Sequence, residues 1–147
     1  MFSGVQRIDS KLSLLGNIGW QDWSQFSDMD INAGNVSGSS PLQLQDSWHF
    51  AVGAQYQLQP ATRLNAGIAF DNSMYKDNNQ ISLTMPTADS WRFGVGIQQQ
   101  LDNKASLGAS FEYLDSKNAC AQSPAILAGC YNNPKMYFMA VNYGYRF

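Results

Sequence analysis

Two cysteines, Cys120 and Cys130, lie in one Asn/Ala/Pro-rich stretch, and they are the only thiols in the 147-residue chain. Their spacing suits a disulfide, and the stretch lacks the further ligands a metal site would need. Such a bond clips one loop, stabilises it by about 2–3 kcal/mol through a smaller unfolded ensemble, and implies an oxidising compartment. His49 is the single histidine. A hydrolase would need a Ser/His/carboxylate set around it, and none is visible, so His49 reads as a satisfied polar residue rather than a base or ligand. No Gly-x-Ser-x-Gly, Cys-x-x-Cys, His-Glu-x-x-His or phosphate-cradling glycine loop occurs. No enzyme activity, cofactor or metal is therefore expected.

Composition turns attention from chemistry to setting. Hydrophobic residues make up 44%, aromatics 13% and charged residues 14%, well below the quarter of charged residues usual in soluble domains. The net charge of −2 comes from 9 basic and 11 acidic residues scattered along the chain, which offers no basic track for a phosphate backbone and argues against nucleic acid as a partner. No apolar run of 18 residues is present, so a spanning helix is excluded. Mean hydropathy is −0.31, which a membrane barrel tolerates because lipid-facing and lumen-facing residues alternate and average out. Met1 to Arg7 lacks the basic and apolar regions of a secretory leader, so export would require a leader ahead of Met1.

The alternation is sustained. From Trp48 to Leu58 the even positions Trp48, Phe50, Val52, Ala54, Tyr56 and Leu58 are apolar, and after Gln59-Pro60-Ala61 the pattern resumes through Leu64, Ala66, Ile68 and Phe70. A period of two over about ten residues predicts strands, and so tight a turn predicts a hairpin. Further strands are predicted at Trp91–Leu101, Leu107–Tyr113 and Lys135–Phe147, the first and second separated by the Asp102-Asn103-Lys104 turn. Lys11 to about Asn32 reads as one strand kinked near Trp23, or as two strands with a turn there. The count is about six, with short connections (59–62, 102–104) alternating with long ones (about 33–46, 71–90, 115–134). This is the layout of an all-β, antiparallel transmembrane β-barrel with short periplasmic turns and long external loops.

Two faces follow. On the apolar one, Trp48, Phe50, Phe70, Trp91, Phe93, Tyr113 and Tyr137 gather toward the long loops and Tyr56, Tyr143, Tyr145 and Phe147 toward the short turns, as interfacial aromatic belts would. The other carries Gly53, Gly67, Gly94, Gly96, Gly108 and Gly144 with a few larger groups. His49, Arg63, Arg92, Glu112, Phe138 and Arg146 are the lumen-facing candidates for contact with a substrate, although the charges are expected mainly to pair with one another or with a plug. The terminal strand, with Tyr143, Tyr145 and Phe147 alternating to the end, has the form of an assembly signal read by strand addition, which makes the barrel assembly machinery an expected partner.

Trp23-Ser24-Gln25-Phe26, Gly67-Ile68-Ala69-Phe70-Asp71, Pro86-Thr87-Ala88-Asp89-Ser90-Trp91, Leu101-Asp102-Asn103-Lys104-Ala105-Ser106-Leu107 and the terminal Tyr143-Gly144-Tyr145-Arg146-Phe147 occur in that order. In this the chain resembles the C-terminal portion of the long-chain fatty acid outer-membrane transporters (FadL type). The resemblance implies a fourteen-stranded barrel closed inside by an N-terminal hatch, passive uptake of fatty acids or other hydrophobic compounds, and an outer-membrane location among its lipids. It also implies that residues 1–147 form the C-terminal part of one barrel domain, with the hatch and early strands preceding Met1. Most of that apparatus would precede Met1, so no substrate-binding residue of the family is carried onto this stretch. A structural or adhesive surface barrel whose loops bind a partner is the alternative, and a lipid-acting barrel enzyme is disfavoured by the lone histidine.

Overall fold

In the computed structural model, residues 1–24, 28–33, 36–41, 43–78, 81, 87–121 and 129–146 are described. Seven antiparallel strands form one sheet in the order β1-β2-β5-β6-β7-β8-β11. They are β1 (Phe2–Arg7), β2 (Leu12–Gln21), β5 (Ser47–Gln59), β6 (Thr62–Asp71), β7 (Ser90–Gln100), β8 (Ala105–Ser116) and β11 (Lys135–Tyr145). Each strand neighbours the next along the chain, the up-and-down order of a barrel wall. Two small ladders stand apart: β3 (Asp28–Ala33) with β4 (Val36–Pro41), and β9 (Ala119–Ala121) with β10 (Gly129–Tyr131).

The sheet has one strand more than the sequence pattern shows. Phe2–Arg7 pairs with β2 from Phe2↔Ile18 to Arg7↔Ser13, although Phe2, Gly4 and Gln6 on one side and Ser3, Val5 and Arg7 on the other give no clean alternation. Backbone ladder bonds and the turn define this strand, since neither depends on side-chain polarity. In that turn Asp9 Oδ1 accepts the backbone N–H groups of Lys11 (2.6 Å) and Leu12 (2.8 Å). The same device recurs before β8, where Asp102 Oδ1 accepts Lys104 and Ala105 N–H, both at 2.7 Å. These Asx turns keep the connections short.

The Lys11–Asn32 segment does not continue as a kinked membrane strand. β2 stops at Gln21, Asp22 Oδ1 accepts both Ser24 N–H and Ser24 Oγ–H, and Asp28–Ala33 turns back on Val36–Pro41 outside the main sheet. A local side-chain acceptor offers the backbone an alternative to the ladder there. Phe147 lies outside the described residues, as do Gln25, Phe26 and Pro86.

Register confirms two faces. Directly paired residues share a face, so Phe50, Phe70 and Trp91 align across β5, β6 and β7, and Val52, Ile68, Phe93, Tyr113 and Tyr137 form the row below. Along this outer face the rings form a chain near the long-loop end, with centroids 4.9 Å apart for Phe70–Trp91, 6.2 Å for Phe93–Tyr113 and 5.3 Å for Tyr113–Tyr137. Trp20, Trp48 and Phe50 extend it at spacings of 6.4 and 5.9 Å. Tyr56, Tyr143 and Tyr145 lie at the opposite end, near the short turns.

Burial is concentrated away from the sheet. Apart from Ala105, the buried hydrophobic residues Leu44, Met74, Tyr75, Ile81, Ala88, Ala119 and Ala121 form one cluster among the long connections, with Trp23 packed against it. These connections form a cap at the long-loop end.

Candidate functional site

The inner face is built by the opposite parity. Gly53, Gly67, Gly94, Glu112 and Phe138 form one row across five strands, and Gln57, Arg63, Gln98, Gly108 and Asn142 form another nearer the short turns. Gly67, Gly94, Glu112, Phe138 and Asn142 line an open trough of about 580 Å³. Gly108 leaves space for its cross-strand partner: a Cβ there would meet Asn142 Oδ1 at 2.1 Å.

The six candidate residues spread over the height of this wall. His49 and Arg92 come together at the long-loop end through Asp71, which pairs with His49 in the ladder. His49 Nδ1 lies 2.6 Å from Asp71 Oδ1, and Arg92 Nε lies 3.2 Å from Asp71 Oδ2. Gly19 sits opposite His49 and gives its ring room, since a Cβ there would lie 3.3 Å from His49 Cβ. Glu112 and Phe138 are neighbours in one row. Arg63 donates from Nη2 to Gln98 Oε1 farther down, and Arg146, beyond β11, donates its backbone N–H to Lys104 O at 2.8 Å. Arg63 and Asp71 are eight residues apart on one strand, a span of roughly 25 Å, so the six cannot form one site. Asp71, the residue that joins His49 to Arg92, was not among them. Its parity with Arg63, Asn65, Gly67 and Ala69 was the available signal.

Above the triad, loops close over the wall. Ser73 N–H donates to Asp89 Oδ1 at 2.8 Å and Lys117 Nζ to Asp89 Oδ2 at 2.9 Å, so one carboxylate ties the β6–β7 connection to the one after β8. Lys117 N–H adds a bond to Asp89 O at 2.9 Å. Desolvation pushes the Asp89 carboxyl up, but the Ser73 N–H and the Lys117 ammonium outweigh it and hold the group below its ordinary value. Cys120 and Cys130 are joined in a disulfide. Cys120 N–H donates to Asn78 O (2.7 Å) and Ile81 N–H to Cys120 O (3.2 Å), which fastens the bridged strand to the neighbouring loop. Gln45 Nε2 bonds Ser73 O and Tyr75 O, at 3.0 and 3.1 Å, from the third loop.

Between cap and wall lies a chamber of about 340 Å³. Trp23, Met74, Leu114 and Met136 supply apolar surface, with Asp71 and Arg92 on its wall side. Trp23 is fixed by its indole N–H, which donates to Ser47 Oγ at 3.1 Å and Gln21 Oε1 at 3.3 Å. Such an arrangement can hold a hydrophobic molecule by contact and orient a small polar head; it presents no nucleophile paired with a base.

Comparison with known proteins gives a consistent result. The family model described as outer membrane protein transport protein (OMPP1/FadL/TodX) matches residues 1–147. The chain is 26% identical over 152 residues to the long-chain fatty acid transport protein of Escherichia coli (strain K12), covering 99% of this chain and 32% of that protein. It is 25% identical over 143 residues to the 47 kDa outer membrane protein of Pasteurella multocida (strain Pm70), covering 96% of this chain and 33% of that one. The crystal structure of a Pseudomonas aeruginosa FadL homologue superposes with a TM-score of 0.80 at 21% identity, over 97% of this chain and 34% of that chain. The chain thus spans about a third of the length of the curated relatives it matches.

Proposed function

The chain belongs to the outer membrane protein transport family (OMPP1/FadL/TodX) and is an outer-membrane β-barrel wall, and from that premise we propose that it serves passive passage of hydrophobic compounds, long-chain fatty acids foremost, across the outer membrane. The observation that carries the reading is the division of the sheet: an outer face of continuous aromatic and aliphatic rows suited to lipid, and an inner face of glycine and polar rows under a cap, with a chamber of mixed polar and apolar lining between them. A molecule passing along such a wall meets many weak contacts and no chemistry, so the protein is proposed as a conduit rather than an enzyme.

The edges of the sheet bear on assembly. β1 and β11 each have one hydrogen-bonded neighbour, and unpaired backbone groups in hydrocarbon cost several kcal/mol each. Such edges call for further strands in the membrane, and the chain is proposed as the C-terminal part of one barrel domain. β11, with Tyr143 and Tyr145 on its outer face, is proposed as the strand offered to the barrel assembly machinery.

Deletion of the gene tests the transport reading through uptake of a labelled long-chain fatty acid. Uptake should fall and return on complementation with the intact protein. Unchanged uptake, combined with loss of binding of cells to a surface or partner, would favour the adhesive reading, for which the folded and disulfide-clipped cap is the supporting feature.

A further inference from the structure

We propose that two of the short turns dock anionic phospholipid headgroups of the leaflet at the short-turn end, Lys11 acting with Tyr56 at one turn and Lys104 with Tyr145 at the other. The inference rests on the membrane wall itself and is independent of what passes through it.

The two turns are one device built twice. Ile8-Asp9-Ser10-Lys11-Leu12 and Leu101-Asp102-Asn103-Lys104-Ala105 share the order apolar residue, aspartate, small polar residue, lysine, apolar residue. Ile8 N–H donates to Leu12 O and Leu101 N–H to Ala105 O, both at 2.9 Å. In each turn the aspartate Oδ1 accepts the N–H groups of the lysine and of the residue after it, so the carboxylate is bound into the turn. The lysine side chain is left at the surface. Lys11 and Lys104 are both exposed, and neither closes a salt bridge among the described residues. A second cation stands beside each: Arg7 directly precedes Ile8, and Arg146 donates its backbone N–H to Lys104 O at 2.8 Å.

The surroundings point to a lipid rather than a free anion. Ile8 and Leu101 continue the outward parity of β1 and β7 and are 54% and 55% exposed, so each lysine sits at the rim of a hydrocarbon-facing row. Tyr56 is the cross-strand partner of Leu12, and Tyr145 that of Ala105. Each turn therefore has an outward tyrosine on the next strand, a ring suited to headgroup depth with an O–H that can donate. A phosphodiester meets the ammonium and the hydroxyl while its acyl chains lie along the aliphatic row below. The third short turn, Gln59-Pro60-Ala61, has neither aspartate nor lysine. It is closed instead by Gln57 Nε2, which donates to Gln59 O at 2.7 Å and to Pro60 O and Thr62 O at 3.3 Å, and Arg63 just after it is engaged with Gln98 on the inner face. That turn is an internal control with no site.

The test titrates the intact protein in detergent with dioleoylphosphatidylglycerol or dioleoylphosphatidylcholine and counts retained lipids by native mass spectrometry. Each basic residue near an anionic lipid favours it by about fivefold, so the glycerol lipid should be retained at two sites with a preference of about tenfold or more, shrinking at high salt. Lys11→Gln and Lys104→Gln should each remove one retained lipid and the double variant both, whereas the corresponding arginine variants should keep them. Only the backbone N–H of each lysine serves its turn, so heat-modifiable migration should be parental throughout. Equal retention of the two lipids, or parental retention in the double variant, overturns the proposal. Displacement of the lipid by millimolar inorganic phosphate would show a free-anion site and overturn it as well. Loss from one turn alone overturns the assignment of the other.

Discussion

Met139 and Val141 in β11 are 84% and 77% exposed, whereas Tyr75 and Ala119 in the cap are each 2% exposed. Strand and cap belong to one chain, yet they satisfy the same requirement in opposite ways. The wall is one sheet thick and has no interior of its own; its apolar rows are matched to hydrocarbon and its polar rows to the lumen. The cap faces water, so it buries its apolar residues against each other as a small soluble domain does, adding loop-to-loop hydrogen bonds and a disulfide. Exposure therefore has different meanings in the two regions: it measures lipid contact in the wall and structural weakness in the cap.

If this division is right, cap and wall can be broken separately. Tyr75→Ala should have the largest effect, about 3–5 kcal/mol for an emptied aromatic site, and should make the external loops protease-sensitive in outer-membrane vesicles while heat-modifiable migration of the barrel persists. Loss of both together would show that the regions fold as one unit. In the wall, Val95→Lys puts a charge at the middle of an outward row, where such a group costs about 2–4 kcal/mol. Refolding yield into vesicles should fall, and the protein that does insert should keep a parental loop-cleavage pattern. Replacing Cys120 and Cys130 together by serine should cost the cap about 2–3 kcal/mol, read as faster cleavage between residues 120 and 130 with unchanged barrel migration. The smallest effect should come from pH. Asp89 has a carboxyl held below its ordinary value, so its contribution is present above the usual carboxylate range and is lost as pH falls through its own lowered value. The protection factor of the Ser73 amide, exchange taken relative to its intrinsic rate at each pH, should fall on acidification, and Asp89→Asn should flatten that response.

Much of the wall was legible because a strand in a membrane wall needs only its own alternation. Trp48–Leu58 states which side is lipid without reference to any neighbour, and the alternation of short and long connections supplies the up-and-down order. β1 was not legible, since Phe2–Arg7 is held by ladder bonds to β2 and a turn at Asp9. The segment after Gln21 misled for a related reason: Met29 and Ile31 continue an apparent alternation, while the Asp22 side chain ends the ladder locally.

The site divides along the same line. The sequence by itself determined which residues face inward, because parity along a strand is a local property, and so His49, Arg63, Arg92, Glu112 and Phe138 could be named. Only the tertiary structure decided which of them meet. Register between strands brings Asp71 to His49 and Arg92 and leaves Arg63 far below, and packing of loops distant in sequence makes the chamber. Those relations depend on contacts across the sheet and between loops, which no periodicity within a single segment encodes.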